Sequence, residues 1–193
     1  MLIFLLFIIW ILILMLLRKL KIYFFTFLLG SVGLFVFMMI AGMDSGEKYL
    51  EYAVTYCMQL IGNYTYLFTA YPEYSVITSY HDLEAVSFFV DYECSGFIEM
   101  LVYISLLMFY PMYGLKGKAL YLLIGMVYIF TANVIRVFVI CTIIRFFGIQ
   151  LFFLSHTVIA RVLFFMLMVA LYYIVFTRPH VLRQKVGSLT YGS

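Results

Sequence analysis

Two apolar runs, residues 2–17 and 22–43, carry no charged side chain and are separated only by Arg18-Lys19-Leu20-Lys21. Crossing the hydrocarbon core of a bilayer as a helix takes about 20 apolar residues. Each run therefore commits its part of the chain to lipid or to a very large apolar core. A chain of 193 residues does not need such a core: 67% of its residues are hydrophobic and 11% charged, with a mean hydropathy of +1.13. Soluble domains run at about 45–50% apolar and about 25% charged. Most of the surface must face lipid.

Three more apolar runs follow. Residues 96–113 are interrupted only by Glu99 and end near Pro111; residues 119–144 contain Arg136; residues 156–177 begin at His156. The first run lacks the basic leading region and small-residue cleavage site of a signal peptide, so it is read as a retained span. The expected fold is an all-α integral membrane protein: a single domain over 1–193, built as a bundle of about five transmembrane helices, with an extracytoplasmic loop or cap over 44–93.

Charge placement orients this bundle. Arg18, Lys19 and Lys21 lie between the first and second runs, Lys116 and Lys118 between the third and fourth, and Arg178, Arg183 and Lys185 after the fifth. With five spans these clusters share one face, which the positive-inside rule makes cytoplasmic. The opposite face then carries residues 44–93, with Asp44, Glu47, Glu51, Glu73, Asp82, Glu84, Asp91 and Glu93 against Lys48 alone. Within that loop, 48–61 has Leu50, Val54, Cys57 or Met58, and Ile61 at helical spacing, an amphipathic helix suited to a membrane surface. Residues 64–80 are rich in Tyr, Thr, Val and Ile, with Pro72 near the middle, and suggest extended segments or a hairpin. This region either caps the spans or grips an extended peptide at a strand edge.

Several chemistries are excluded. The net charge of +3 gives no case for a nucleic-acid partner. There is no HExxH or zinc spacing, no GxGxxG and no phosphate-binding loop, so no metal or cofactor is expected. The cysteines Cys57, Cys94 and Cys141 form no CxxC pair, leaving either one disulfide and a free thiol or three free thiols.

Helical rise brings three of the remaining groups to one depth. Arg136 lies 17 steps from Ala119, roughly 26 Å. Cys94 lies 19 steps before Tyr113, roughly 29 Å, and His156 lies 21 steps before Thr177, roughly 32 Å. Against a core about 30 Å thick, all three reach the outer boundary. Each has a plain structural alternative. Cys94 can be a small packing residue, His156 an interfacial side chain and Arg136 a snorkelling cation. An arginine inside a span is nevertheless costly enough to be a functional candidate by default.

Together the three suit acyl transfer. A thiol with an ordinary pKa of about 8.5 ionises more readily beside a cation or a helix N-terminus. A histidine that titrates near about 6.5 can take the thiol proton and return it to a leaving amine. Arg136 can stabilise the oxyanion.

Glu93-Cys94-Ser95-Gly96, then Asn133-Val134-Ile135-Arg136, then His156 at the head of a span resemble the exosortase/archaeosortase family, most closely its short Gram-positive forms. The resemblance covers roughly residues 90–165. It implies that Cys94 is the nucleophile, Arg136 the electrostatic partner and His156 the acid/base, with Glu93, Ser95, Gly96 and Asn133 supporting. It also implies a partner: a membrane-anchored protein with a C-terminal sorting signal of short motif, hydrophobic helix and basic tail. That protein would be cleaved near the outer boundary of the cell membrane and passed to an acceptor. Where the family often has a basic residue after the Cys-Ser-Gly turn, this chain has Phe97-Ile98-Glu99. The competing expectation is a transporter subunit or assembly scaffold without enzymatic activity, in which Arg136 pairs with Glu99.

Overall fold

The computed structural model describes residues 2–42, 46–81 and 84–179. Met43, Asp44, Asp82, His180, Arg183 and Lys185, and the side chain of Glu93, lie outside what it describes. The first two runs become α1 (Leu2–Lys19) and α2 (Tyr23–Gly42), a hairpin closed at Lys21 with a left-handed φ of 59°. The Trp10 indole N–H of α1 donates to the Leu29 carbonyl of α2 at 2.9 Å.

Between the second and third runs the described residues form a helix and a small sheet. Helix α3 (Gly46–Thr65) is followed by β1 (Phe68–Tyr71), β2 (Val76–His81) and β3 (Glu84–Phe89), an antiparallel sheet in the order β1-β2-β3. Pro72 begins the 3₁₀ turn between β1 and β2, as its fixed φ favours. The register pairs Phe68 with Ser79 and Ile77 with Phe88. Thus the helical architecture carries an extended element, in a stretch whose β-branched and aromatic side chains suit a half-buried pleat. The apolar face of α3 is covered by the sheet and by the following long helix, not left to a lipid surface: Val54 and Met58 share a core with Phe68, Ile77 and Ile140.

After β3 comes the single turn α4 (Tyr92–Ser95), then α5 (Phe97–Phe109), α6 (Leu115–Phe147) and a last helical rod, α7 (Ile149–Thr177). Helix α5 stops four residues short of the expected end at 113. Tyr110 precedes Pro111 and is extended, with ψ 121°, because the proline ring crowds an α conformation at the residue before it. At 13 residues α5 is about 20 Å long, shorter than a span, and it packs along α2. Conversely, α6 extends past the expected 119–144 at both ends. Its 33 residues measure about 50 Å. The last turns of α6 are covered by protein: Val137, Ile140, Cys141 and Ile144 share a core with α3 and the sheet. Ser79 Oγ donates to the Cys141 carbonyl at 3.1 Å, and the Arg145 guanidinium donates to the Tyr80 carbonyl at 2.9 Å.

Among the described residues, α2, α6 and α7 are long and apolar enough to cross a membrane. Their outer faces show large exposed apolar side chains such as Phe24, Leu123 and Phe165, a surface that only lipid or a partner can cover. The chain is a mostly helical, membrane-embedded protein. Two cores are stacked along it. One joins the sheet, α3 and the end of α6; the other joins α5, the middle of α6 and α7 around Tyr103, Ile129 and Met168. Gly125 of α6 allows the close approach of α5, since a Cβ there would lie 2.2 Å from the Tyr103 ring.

Candidate active site

The junction between the two cores is occupied by the Cys94 turn. Asp91 caps α4: its backbone and side-chain oxygens both accept from the Cys94 N–H, at 2.9 and 3.1 Å. Gly96 ends the turn at φ 79°, a left-handed conformation that glycine adopts without a Cβ penalty. Ser95 Oγ accepts from the Phe97 N–H at 3.3 Å, tying the turn to the start of α5. From α6, Asn133 Nδ2 donates to the Cys94 carbonyl at 2.6 Å. Cys94 was expected in the opening of the third span. It sits instead in its own turn, separated from α5 by the left-handed bend.

Two helices bring a side chain to the Cys94 sulfur. His156 Nε2 on α7 lies 3.3 Å from Sγ. Arg136 Nη2 on α6, one helical turn beyond Asn133, donates to Sγ at 3.5 Å. Cys94 is 2% exposed and Arg136 3% exposed. The guanidinium also lies over the Phe164 ring of α7, 5.4 Å from its centroid, a cation–π contact of the kind arginine favours. A buried, stacked and directed arginine is not snorkelling to headgroups.

His156 is placed by an irregularity in its helix. Ser155–Ile159 form a π turn inside α7; such single-turn insertions recur at functional sites because the added residue re-aims its neighbours. The imidazole stacks on Phe152 at 5.7 Å, and Phe152 meets Phe88 of β3 at 6.0 Å. The sheet thereby reaches the imidazole through Phe152.

Beside Arg136, a groove of about 850 Å³ opens between α5 and α7. Its head carries Glu99, Arg136 and Arg161; its length is lined by Phe164, Met168 and Tyr172. The α7 residues facing it extend to Thr177, 16 steps from Arg161 and about 24 Å along the helix. Glu99 Oε2 and Asn133 Oδ1 are buried without hydrogen-bond partners among the described residues.

The structure brings together Cys94, Ser95, Gly96, Asn133, Arg136 and His156. All three cysteines are free thiols. Cys57 belongs to α3 and Cys141 to the sheet-facing side of α6. His81 donates from Nδ1 to the Arg145 carbonyl at 3.0 Å, a link between β2 and α6. Reading the sequence missed Asp91, Phe152 and Arg161. Asp91 had the signal of a capping carboxylate three residues before Cys94, and Arg161 that of a second arginine in an apolar run. The known family models, curated proteins and solved structures compared with the chain give no match.

Proposed function

We propose that this chain is a membrane-embedded cysteine transpeptidase of the exosortase/archaeosortase type. The observation that carries the reading is the convergence on one buried sulfur of an imidazole at 3.3 Å and a guanidinium at 3.5 Å, from different helices. In the reaction, His156 Nε2 takes the thiol proton and the Cys94 thiolate attacks the scissile carbonyl carbon. Arg136, held over Phe164, stabilises the oxygen as it gains charge. His156 then gives its proton to the leaving nitrogen as the C–N bond breaks, leaving a thioester on Cys94. An acceptor amine attacks the thioester, forms the new amide and releases the sulfur, with its proton returning through His156.

In this reading five helical segments form the membrane part and the cap lies outside the cell membrane, opposite the basic clusters. The substrate is a membrane-anchored protein whose hydrophobic helix occupies the groove between α5 and α7, beside Arg136. The alternative of a transporter subunit or scaffold rests on Glu99 lying within electrostatic reach of Arg136, and it assigns no task to the thiol or the imidazole. Coexpression separates the two. A membrane protein ending in a hydrophobic helix and basic tail should be shortened in cells carrying this chain, and left intact with Cys94→Ala at equal abundance. Full shortening by Cys94→Ala would end the transpeptidase reading.

A further inference from the structure

β3 is a terminal strand of the sheet, and it leads through Val90 and Asp91 directly into the Cys94 turn. Its hydrogen-bonding direction follows from one bond beyond the ladder. Val90 N–H donates to the Ser75 carbonyl at 2.8 Å, one step past the pairing of Val76 with Phe89. Bonded and non-bonded pairs alternate in an antiparallel ladder. Phe88 and Val86 therefore bond to β2, while Phe89, Ser87 and Ala85 direct their N–H and C=O groups to the outer edge. Those three residues are also exposed, Phe89 by 70%.

Sheets normally blunt such an edge with lysine, proline or a bulge. β3 has none of these; Glu84, at its far end from the site, is its only charge. At the other terminal strand, β1, helix α3 approaches closely: a Cβ on Gly62 would lie 2.6 Å from the Phe68 carbonyl oxygen. Among the described residues no strand pairs with the outer edge of β3, and its chain leads straight into the turn that carries Cys94.

We propose that the outer edge of β3 receives, as an added parallel strand, the extended segment that precedes the scissile bond of a protein substrate. This rests on the transpeptidase reading above. The substrate follows the course of the enzyme's own chain. It runs beside β3, turns past Cys94 where it is cut, and continues beside α5 in the groove. Main-chain bonds to Ala85, Ser87 and Phe89 supply affinity with little demand on side chains. Because the paired segment lies on the acyl side, it stays bound to β3 after the leaving helix departs and holds the thioester in place for the acceptor.

The test uses the full-length protein in phospholipid nanodiscs and two alkylating probes read by intact mass. Iodoacetamide reports the Cys94 thiol alone. A randomised hexapeptide library ending in a chloromethyl ketone reports the thiol plus the edge. The readout is the ratio of the two rates for Cys94. The library should react at least about tenfold faster than a capped single-residue chloromethyl ketone. Ala85→Pro, which removes an outward N–H, should lower the library-to-iodoacetamide ratio about tenfold. As a check independent of protein folding, single backbone N-methyl groups placed along the peptide should slow the wild-type reaction at alternate positions only. An unchanged ratio in Ala85→Pro, or no period-two pattern with N-methylation, overturns strand addition. Iodoacetamide reacting no faster at Cys94 than at Cys57 would instead sink the activated-thiol reading beneath it.

Discussion

Replacing Arg136 by lysine separates charge from geometry at the candidate site. The arginine does two things at once: Nη2 reaches Cys94 Sγ at 3.5 Å, and the guanidinium plane covers Phe164 at 5.4 Å. Lysine keeps the positive charge and much of the cation–π attraction. It has one nitrogen where arginine has a planar fork, so it cannot hold its place over the ring and also present a donor beside the sulfur. Loss of a single oxyanion donor costs about 100–1,000-fold in rate, or about 2.7–4 kcal/mol of transition-state stabilisation. Arg136→Lys should therefore accumulate in the membrane at wild-type abundance and process substrate about 100-fold more slowly. The assay is a time course of cleavage of the coexpressed membrane protein, with enzyme matched by immunoblot. Near-normal cleavage would show that any cation at this position suffices and would remove Arg136 from the chemistry.

Three further outcomes are expected. Gly96→Ala places a Cβ on a left-handed residue and should destabilise the protein by about 1–2 kcal/mol, read as a lower thermal midpoint in detergent; an unchanged midpoint would refute the strain argument. Glu51 on α3 has its carboxyl pKa raised by burial, by the charge of Glu47 beside it and by Asp91. A raised folded pKa means that the stability tied to neutral Glu51 is present below the ordinary carboxylate range and is lost as pH rises through the folded value. Glu51→Gln should accordingly raise the thermal midpoint relative to wild type at neutral pH and match it near pH 4, and a constant difference across that window would contradict the assignment. For topology, a cysteine at the exposed Tyr64 (88%) should react with an impermeant maleimide on intact cells lacking Cys57, Cys94 and Cys141, while one at Leu115 (87%) should react only after permeabilisation; the reverse pattern would invert the membrane orientation.

The membrane character of the chain was legible because apolar runs without charge have few other uses. The candidate residues could be singled out by counting helical rise from span ends. The count for Cys94, however, assumes one helix back from Tyr113, whereas α5 ends at Phe109 and Gly96 bends the chain between α5 and Cys94. The meeting of Cys94, Arg136 and His156 is a matter of packing that the count does not contain. What stayed hidden depended on tertiary partners. Val137, Ile140 and Ile144 look like lipid-facing residues in sequence, yet they bury under a sheet, so α6 continued where a span was expected to stop. The third strand was missed because its alternation is short and its register is set by β2, not by its own composition. The π turn at His156 leaves no periodic trace, since one widened turn is lost within an otherwise regular apolar helix. The end of α5 was visible in Pro111, but apolar residues on both sides of it masked the break.

The length of α6 has a mechanical consequence. From Leu115, beside the basic turn, to Arg136 is 21 steps of one unbroken helix, about 32 Å. Under the proposed topology one end of that interval is pinned to the cytoplasmic headgroups by Lys116 and Lys118. The other end carries the guanidinium, and the turns beyond it are locked to the sheet. The helix therefore acts as a ruler. In a thinner bilayer the scissile position stands clear of the outer headgroups, and in a thicker one it sinks among the acyl chains. In the proposed reaction, membrane thickness, which differs between membranes by a few Å, sets how easily an acceptor in water reaches the thioester.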